Sequence, residues 1–371
     1  MGRTAWYVDY DKHREVVASF KEPYNNGCEA LGIAKGTINQ ELWREMVARI
    51  VYESNWQEDL YLNPVRTREL ADAVFDDPIQ ITGPHLDLSG VIDAHKQHVL
   101  RLKRQRRTIE EIAAYNLSRA HEAIGWIALE LANRQNASLM VALSGAKEAF
   151  QEMAEADPSR PIPSELKRGF ELLDELLNSS RPVNYGPLND TTSTQGELAK
   201  QLLNVSFPDL LNPMKTDYIH FLHRITTMGL IKTTHCGVFR KTSVHIPGNP
   251  HLHFPLPSLV PKLMEEYASK FPAILPSTVN YDPIMVAAKT SYSFVRIHPY
   301  ADGNGRVSRL LMNLVLWQHF PPVYLKADKK GRHRYIQALR RADRGNITPL
   351  ACLIAMSLES VYERLLQSVA G

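Results

Sequence analysis

Apolar residues return every third or fourth position over long stretches of this chain, the period of a helix buried on one face. In INQELWREMVARIVYESN, residues 38–55, the positions Leu42, Met46, Val47, Ile50 and Val51 fall on one side. The pattern continues in VIDAHKQHVLRLKRQ, which Ser89 can cap, in TIEEIAAYNLSRAHEAIGWIALELANRQ, and in SELKRGFELLDELLN, which starts at Ser164. Asp282 and Pro283 supply an N-cap and a first-turn proline for a helix running to Ile297 and stopping at His298-Pro299. Thr348 and Pro349 repeat the device for the last helix, LACLIAMSLESVYERLLQ. A further helix beginning near Asn304 carries the run LLMNLVLWQHF and reads as buried.

Strand character is confined to CGVFRKTSVHI, residues 236–246, where Val238 and Phe239, then Val244 and Ile246, flank a turn-prone KTS. The expected fold is therefore mainly α with one small β-hairpin. ADPSRPIPS (156–164) and SSRPVNYGPLNDTTSTQG (179–196) read as loops, being rich in turn formers and poor in apolar residues.

Composition narrows the function classes. With 44% hydrophobic and 22% charged residues, the 371-residue chain reads as globular, and a net charge of +3 argues against nucleic acid as a partner. No run of about 18 apolar residues occurs, so no membrane span is expected. The N-terminus lacks the apolar core of a signal peptide, and Trp6 stands where a myristoylation signal wants Ser or Thr. Cys28, Cys236 and Cys352 are too few and too scattered for a disulfide framework, which fits a reducing compartment. A cytoplasmic location is expected; KRQRR (103–107) leaves a nuclear address open, though such a run after an amphipathic helix is more often a solvated face. His245, His251 and His253 read as loop histidines, and MGLIKTT lacks the glycine before Lys of a phosphate-binding loop.

The chemistry is concentrated in HPYADGNGRVSR, His298 to Arg309. Gly303, Asn304 and Gly305 precede or open a helix, whose free N–H groups and positive dipole suit an anion. Arg306 and Arg309 share a helix face there and can grip different phosphates. Asp302 is a hard oxygen ligand suited to Mg²⁺, and His298 can act as a general base near neutrality. Together they describe transfer of a phosphate-containing group from a Mg-nucleotide. A bland alternative stays open at this point, because DGNG alone is a common turn and a His before Pro is often structural.

HPYADGNGRVSR resembles the signature of the Fic family, HPFx(D/E)GN(G/K)RxxR, departing only at Tyr300, where Phe is usual. The resemblance extends over about residues 206 to 355. It implies a Fic-type helical fold divided as an N-terminal helical region (1–104), a helical insert of unknown role (105–205) and a catalytic core (206–371). It implies protein AMPylation: AMP passes from ATP to a Ser, Thr or Tyr hydroxyl of a target protein. In that role His298 would deprotonate the hydroxyl, Asp302 would hold Mg²⁺, Gly303 to Arg306 would cradle the α- and β-phosphates, and Arg309 would reach the γ-phosphate. Gly237, Val238, Phe239 and Arg240 would form the hairpin flap that positions the target, and Tyr335 and Asp343 would lie near the adenine.

Many Fic proteins restrain themselves with a helix carrying (S/T)xxxE(G/N), whose Glu pairs with the second arginine of the signature. SNWQED offers Ser54 and Glu58 at this spacing, with Asp59 replacing the usual Gly or Asn. Glu53 competes less well, since Arg49 stands four residues before it; a solvated surface acid is the bland alternative for Glu58, whose place after an apolar helix and well before the motif favours the inhibitory role. Removal of AMP at the same site, transfer of another phosphate-containing group, or a non-catalytic nucleotide-binding module are the alternatives. Self-association is left open.

Overall fold

The computed structural model describes residues 9–31, 38, 40–79, 86–128, 130–131, 214–245, 252–271, 282–317 and 319–370. The expected loops at 156–164 and 179–196, the helix after Ser164 and residues 246–251 lie outside them. The described elements are helical: α1 (Tyr10–Ala30), α2 (Gln40–Gln57), α3 (Pro64–Asp76), α4 (Leu88–Arg104), α5 (109–128), α6 (Thr216–Thr227), α7 (Val260–Ser269), α8 (Pro283–Ile297), α9 (Asn304–Leu316), α10 (Lys329–Ala342) and α11 (Thr348–Val369). None of them is long and apolar enough to cross a membrane.

Helix α9 is the axle. Every residue from Asn304 to Leu316 except Gly305 is buried, and α2, α6 and α8 pack around it. Each of Leu310, Leu311, Leu314 and Leu316 is almost wholly excluded from water, worth about 1.5–3 kcal/mol apiece relative to exposure. The polar residues of so buried a helix need partners. Asn313 shows how they find them: its Nδ2 donates to the Val323 carbonyl at 3.0 Å and its Oδ1 accepts from the Val323 N–H at 2.9 Å, fastening the segment that leads to α10. Helix α1 lies along α11, with Tyr24 edge-on to Tyr362, so the first and last described helices close one core. Of the expected insert, α5 sends Leu117, Ala120, Ile124 and Ile127 into that same core.

The Asp282 cap is as expected, accepting from Ile284 N–H and Met285 N–H at 3.0 and 3.2 Å. Two caps differ. Helix α4 is capped by Asp87, which accepts from Ser89 N–H and Gly90 N–H, so the helix starts one residue before Ser89. Helix α11 begins at Thr348 itself, whose N–H donates to Asn346 Oδ1 at 3.1 Å.

The larger correction concerns the flap. Among the described residues there is no strand, and the Gly237, Val238, Phe239 and Arg240 segment is irregular rather than one arm of a β-hairpin. An isolated two-stranded ribbon is marginal by itself. Here the segment satisfies itself otherwise: Arg240 N–H donates to the Pro299 carbonyl at 2.9 Å, and the buried Arg240 guanidinium gathers the carbonyls of His298, Thr242 and Pro255 at 2.7, 3.1 and 2.6 Å. These backbone groups are bound to the site loop, not to a sister strand.

Candidate active site

Helix α8 delivers His298 at its C-terminus. Pro299 bars further helix, and His298 takes the left-handed conformation (φ 50°, ψ 59°), with its N–H bonded to the Phe294 carbonyl at 3.0 Å. Its Nδ1 lies 3.2 Å from the Val295 carbonyl, which can only accept, so Nδ1 carries the ring proton and Nε2 is bare. The ring is stacked on Phe254 with centroids 4.1 Å apart. Burial, with a smaller push from Arg240, lowers the His298 pKa to about 4. At neutral pH the ring is thus a base and not a cation. Nothing in HLHFPL had singled out Phe254, because stacking partners have no spacing to read.

The loop after His298 is braced from within. Asn304 Nδ2 donates to the Tyr300 carbonyl at 2.8 Å and its Oδ1 accepts the Tyr300 N–H at 3.0 Å, leaving its backbone as what it offers an anion. The fully buried Tyr300 ring stacks on His223 at 3.7 Å, and its hydroxyl meets His220 Nδ1 at 3.0 Å. Gly303 caps α9 with φ 80°. Asp302 keeps its carboxylate largely in solvent, 3.9 Å from Arg306 Nη2. Arg306 is 2% exposed, yet its Nε and Nη1 have no hydrogen-bond partner. A buried guanidinium with unmet donors at a helix N-terminus is a strong demand for an anion.

Arg309, one turn further on, is met by α2. Its Nε donates to Ser54 Oγ at 2.8 Å, and its Nη2 donates to the Ser54 carbonyl at 2.9 Å and to Glu58 Oε1 at 2.6 Å, across 251 residues of sequence from Glu58. The same Glu58 oxygen would stand 2.1 Å from a Cβ placed on Gly305, so its carboxylate fills the cradle between the glycine and Arg309. The Tyr335 hydroxyl is buried beside Ser308 and Arg309. Asp343 accepts the Tyr292 hydroxyl at 3.0 Å and lies 3.2 Å from Arg296 Nε.

The end of α2 explains Asp59. Leu60 N–H donates to the Asn55 carbonyl at 3.0 Å and Asp59 N–H to that of Trp56 at 3.3 Å, a C-terminal lock whose pivot must be left-handed. Asp59 is that pivot, with φ 59°; Gly and Asn are usual there, and Asp is among the few other residues that tolerate it. Its carboxylate is forked by Arg332, with Nη2 at 2.8 Å, and takes the Tyr61 hydroxyl, which together hold its pKa at about 2. Glu53, by contrast, is spent on structure: it pairs with Arg49 and accepts the Ala327 N–H at 2.7 Å.

Beside the loop, an open groove is lined by His220, Val238, Phe239, Arg240, Pro257 and Pro261, and Val238, Leu256 and Leu259 are exposed near it. No three His, Cys, Asp or Glu side chains among the described residues gather into a metal cage. A cation held by Asp302 would need a ligand's own oxygens for most of its shell.

Residues 213–316 match the family model described as the Fic/DOC family. The chain carries a Fic domain. It is similar to the protein adenylyltransferase Fic of Drosophila melanogaster, 32% identical over 190 residues, which is 51% of this chain and 37% of that one. The corresponding protein of Culex quinquefasciatus is 36% identical over 145 residues, 38% of this chain and 27% of that one. The matched stretches thus span well under half the length of these relatives. A Fic-domain-containing signalling protein from Bacteroides thetaiotaomicron shares the fold, with a TM-score of 0.55 over 96% of this chain and 98% of that one at 13% identity. Within this Fic-domain chain, both departures from the family pattern have acquired partners: the extra hydroxyl of Tyr300 meets His220, and the carboxylate of Asp59 meets Arg332.

Proposed function

We propose that this Fic-domain protein transfers AMP from Mg²⁺-ATP to a hydroxyl of a target protein and that Glu58 normally holds the reaction off. The relatives named adenylyltransferase support the group transferred. The neutral His298 and the unmet donors of Arg306 support the chemistry. In the transfer, His298 Nε2 takes the proton of the attacking hydroxyl, the hydroxyl oxygen bonds to the α-phosphorus, and the bond from that phosphorus to the bridging oxygen breaks, so pyrophosphate leaves with the electron pair. The N–H groups at the start of α9 and the free Arg306 donors hold the phosphates against the charge that builds up. When bound with the nucleotide, Mg²⁺ neutralises phosphate charge, and Asp302 is the residue that would hold it.

The observation that carries the restraint is the Glu58–Arg309 pair at 2.6 Å inside the Gly305 cradle. A third phosphate needs the same arginine, and the carboxylate repels it. With labelled ATP and Mg²⁺, the unmodified chain should label itself weakly, Glu58→Gly strongly and Glu58→Gly/His298→Ala not at all. Absence of labelling in Glu58→Gly, despite calorimetric ATP binding, would leave a nucleotide-binding module instead.

A further inference from the structure

Helix α6 carries His220, His223, Arg224 and Thr227 between two turns that each depend on a left-handed glycine. At Gly237, φ 70°, a Cβ would come within 2.9 Å of the His220 carbonyl oxygen, and at Gly303, φ 80°, within 2.6 Å of Thr227 Cγ2 and 3.4 Å of His223 Nε2. His223 is fully buried and bonded to both turns. Gly237 N–H lies 2.8 Å from its Nδ1, and the Asp302 carbonyl lies 2.9 Å from its Nε2. A backbone N–H can only donate, so Nδ1 has no proton; a carbonyl can only accept, so Nε2 has one. The two neighbours therefore select a single neutral tautomer, and the Tyr300 stack fixes the ring plane.

We propose that His223 is a positioning residue that ties the flap turn at Gly237 to the Asp302–Gly303 turn through its two ring nitrogens. The proposal rests on the transferase reading insofar as these turns would present the target and hold the nucleotide. Arg240 fastens the far end of the flap to His298 and Pro299, at the start of the motif loop. His223 fastens its near end to Asp302, further along the same loop. The flap is thus attached at both ends of the loop it serves, with α6 as the rigid body between. Only histidine makes both bonds: Asn can reproduce an acceptor at the Nδ1 position, and Gln a donor at the Nε2 position.

Histidine-selective ¹⁵N spectra of the unmodified chain should show the His223 ring protonated on Nε2 and bare on Nδ1 at neutral pH. In a Glu58→Gly background, His223→Gln should speed amide exchange of Gly237 about ten-fold while leaving calorimetric Mg²⁺-ATP affinity within about two-fold. His223→Asn should do the reverse, keeping Gly237 protected and weakening Mg²⁺-ATP binding about ten-fold. A ring protonated on Nδ1 overturns the proposal without any variant having to fold. So does a pair of variants that lose Gly237 protection and Mg²⁺-ATP affinity to the same extent, which is what a purely structural histidine gives. If the Glu58→Gly parent binds no Mg²⁺-ATP, the transferase reading fails, and the ring tautomer with Gly237 exchange still decides the bridge.

Discussion

Glu58→Gly should lower stability and raise nucleotide affinity in the same protein. The carboxylate is about a quarter exposed, at 27%, and Arg309 is 6% exposed, so the pair is partly shielded from water. A hydrogen bond to a charged group contributes about 1.5–3 kcal/mol, and partial exposure places this one near the lower end. Arg309 is not orphaned by the change, since Ser54 still takes its Nε at 2.8 Å and its Nη2 at 2.9 Å. The expected loss is therefore about 1–2 kcal/mol, a fall in Tm of roughly 1–3 °C for a chain of 371 residues.

The same interaction must be displaced before a phosphate reaches Arg309, so its removal returns about 1–2 kcal/mol to nucleotide binding, or roughly 5- to 30-fold in Kd. Differential scanning calorimetry without nucleotide, and titration calorimetry with a non-hydrolysable ATP analogue and Mg²⁺, measure the two terms separately. The opposite signs make the test sharp. A Glu58 that only supports the fold lowers Tm and leaves the analogue's affinity within about two-fold; that result refutes the competition argument.

Self-labelling by the Glu58→Gly chain should keep its full rate down to about pH 5 and fall as pH drops through about 4, because the base is active when neutral and burial holds the His298 pKa near 4; a midpoint at the ordinary histidine value of about 6.5 would contradict the buried geometry. Burial also depresses His95 and His223 to about 3 and His121 and His319 to about 4. The unfolded chain takes up protons at these positions from about pH 6.5 downward while the fold does not, so stability should fall as pH is lowered, read as a falling urea midpoint between about pH 6.5 and 4. Asp59→Asn keeps a residue that tolerates the left-handed pivot and loses the Arg332 fork; it should raise labelling about two- to five-fold, and about 1 M salt should produce much of that gain in the unmodified chain.

What was legible in the sequence was local. Asp282-Pro283 caps α8, Asn304 opens α9, and His298, Asp302, Gly303, Asn304, Gly305, Arg306 and Arg309 fall within one helix end and the loop before it, so their spacing alone brought them together. Glu53 and Glu58 were told apart for a reason that operates in the fold: Arg49, four residues before Glu53, pairs with it. The flap failed as a hairpin because alternation of apolar residues does not say where backbone bonds go, and Arg240 sends them to the loop of His298 and Pro299. His220, His223, Phe254 and Arg332 were missed altogether. Each has at least one partner 44 or more residues away in sequence, and none has a periodic signature.

Asp59 shows what such distant partners do to a motif read by similarity. By the family pattern, Asp at this position counts against SNWQED, since the expected residue is one that reaches positive φ at little cost. In the fold it reaches φ 59° all the same and gains Arg332, 273 residues away. The left-handed pivot costs an Asp about 1 kcal/mol more than a Gly, and an exposed ion pair contributes about as much, so the exchange is nearly neutral for stability. It is not neutral in kind. A glycine pivot depends on nothing outside α2, whereas Asp59 joins the end of α2 to the start of α10, on which Arg332 stands, and Gln57 adds a bond to the Lys326 carbonyl at 3.1 Å just before it. The segment from Ala327 to Arg332 and the Lys326 carbonyl are therefore bonded to α2 and its terminal turn through Glu53, Gln57 and Asp59, and Asp59→Gly would remove only the last of these bonds.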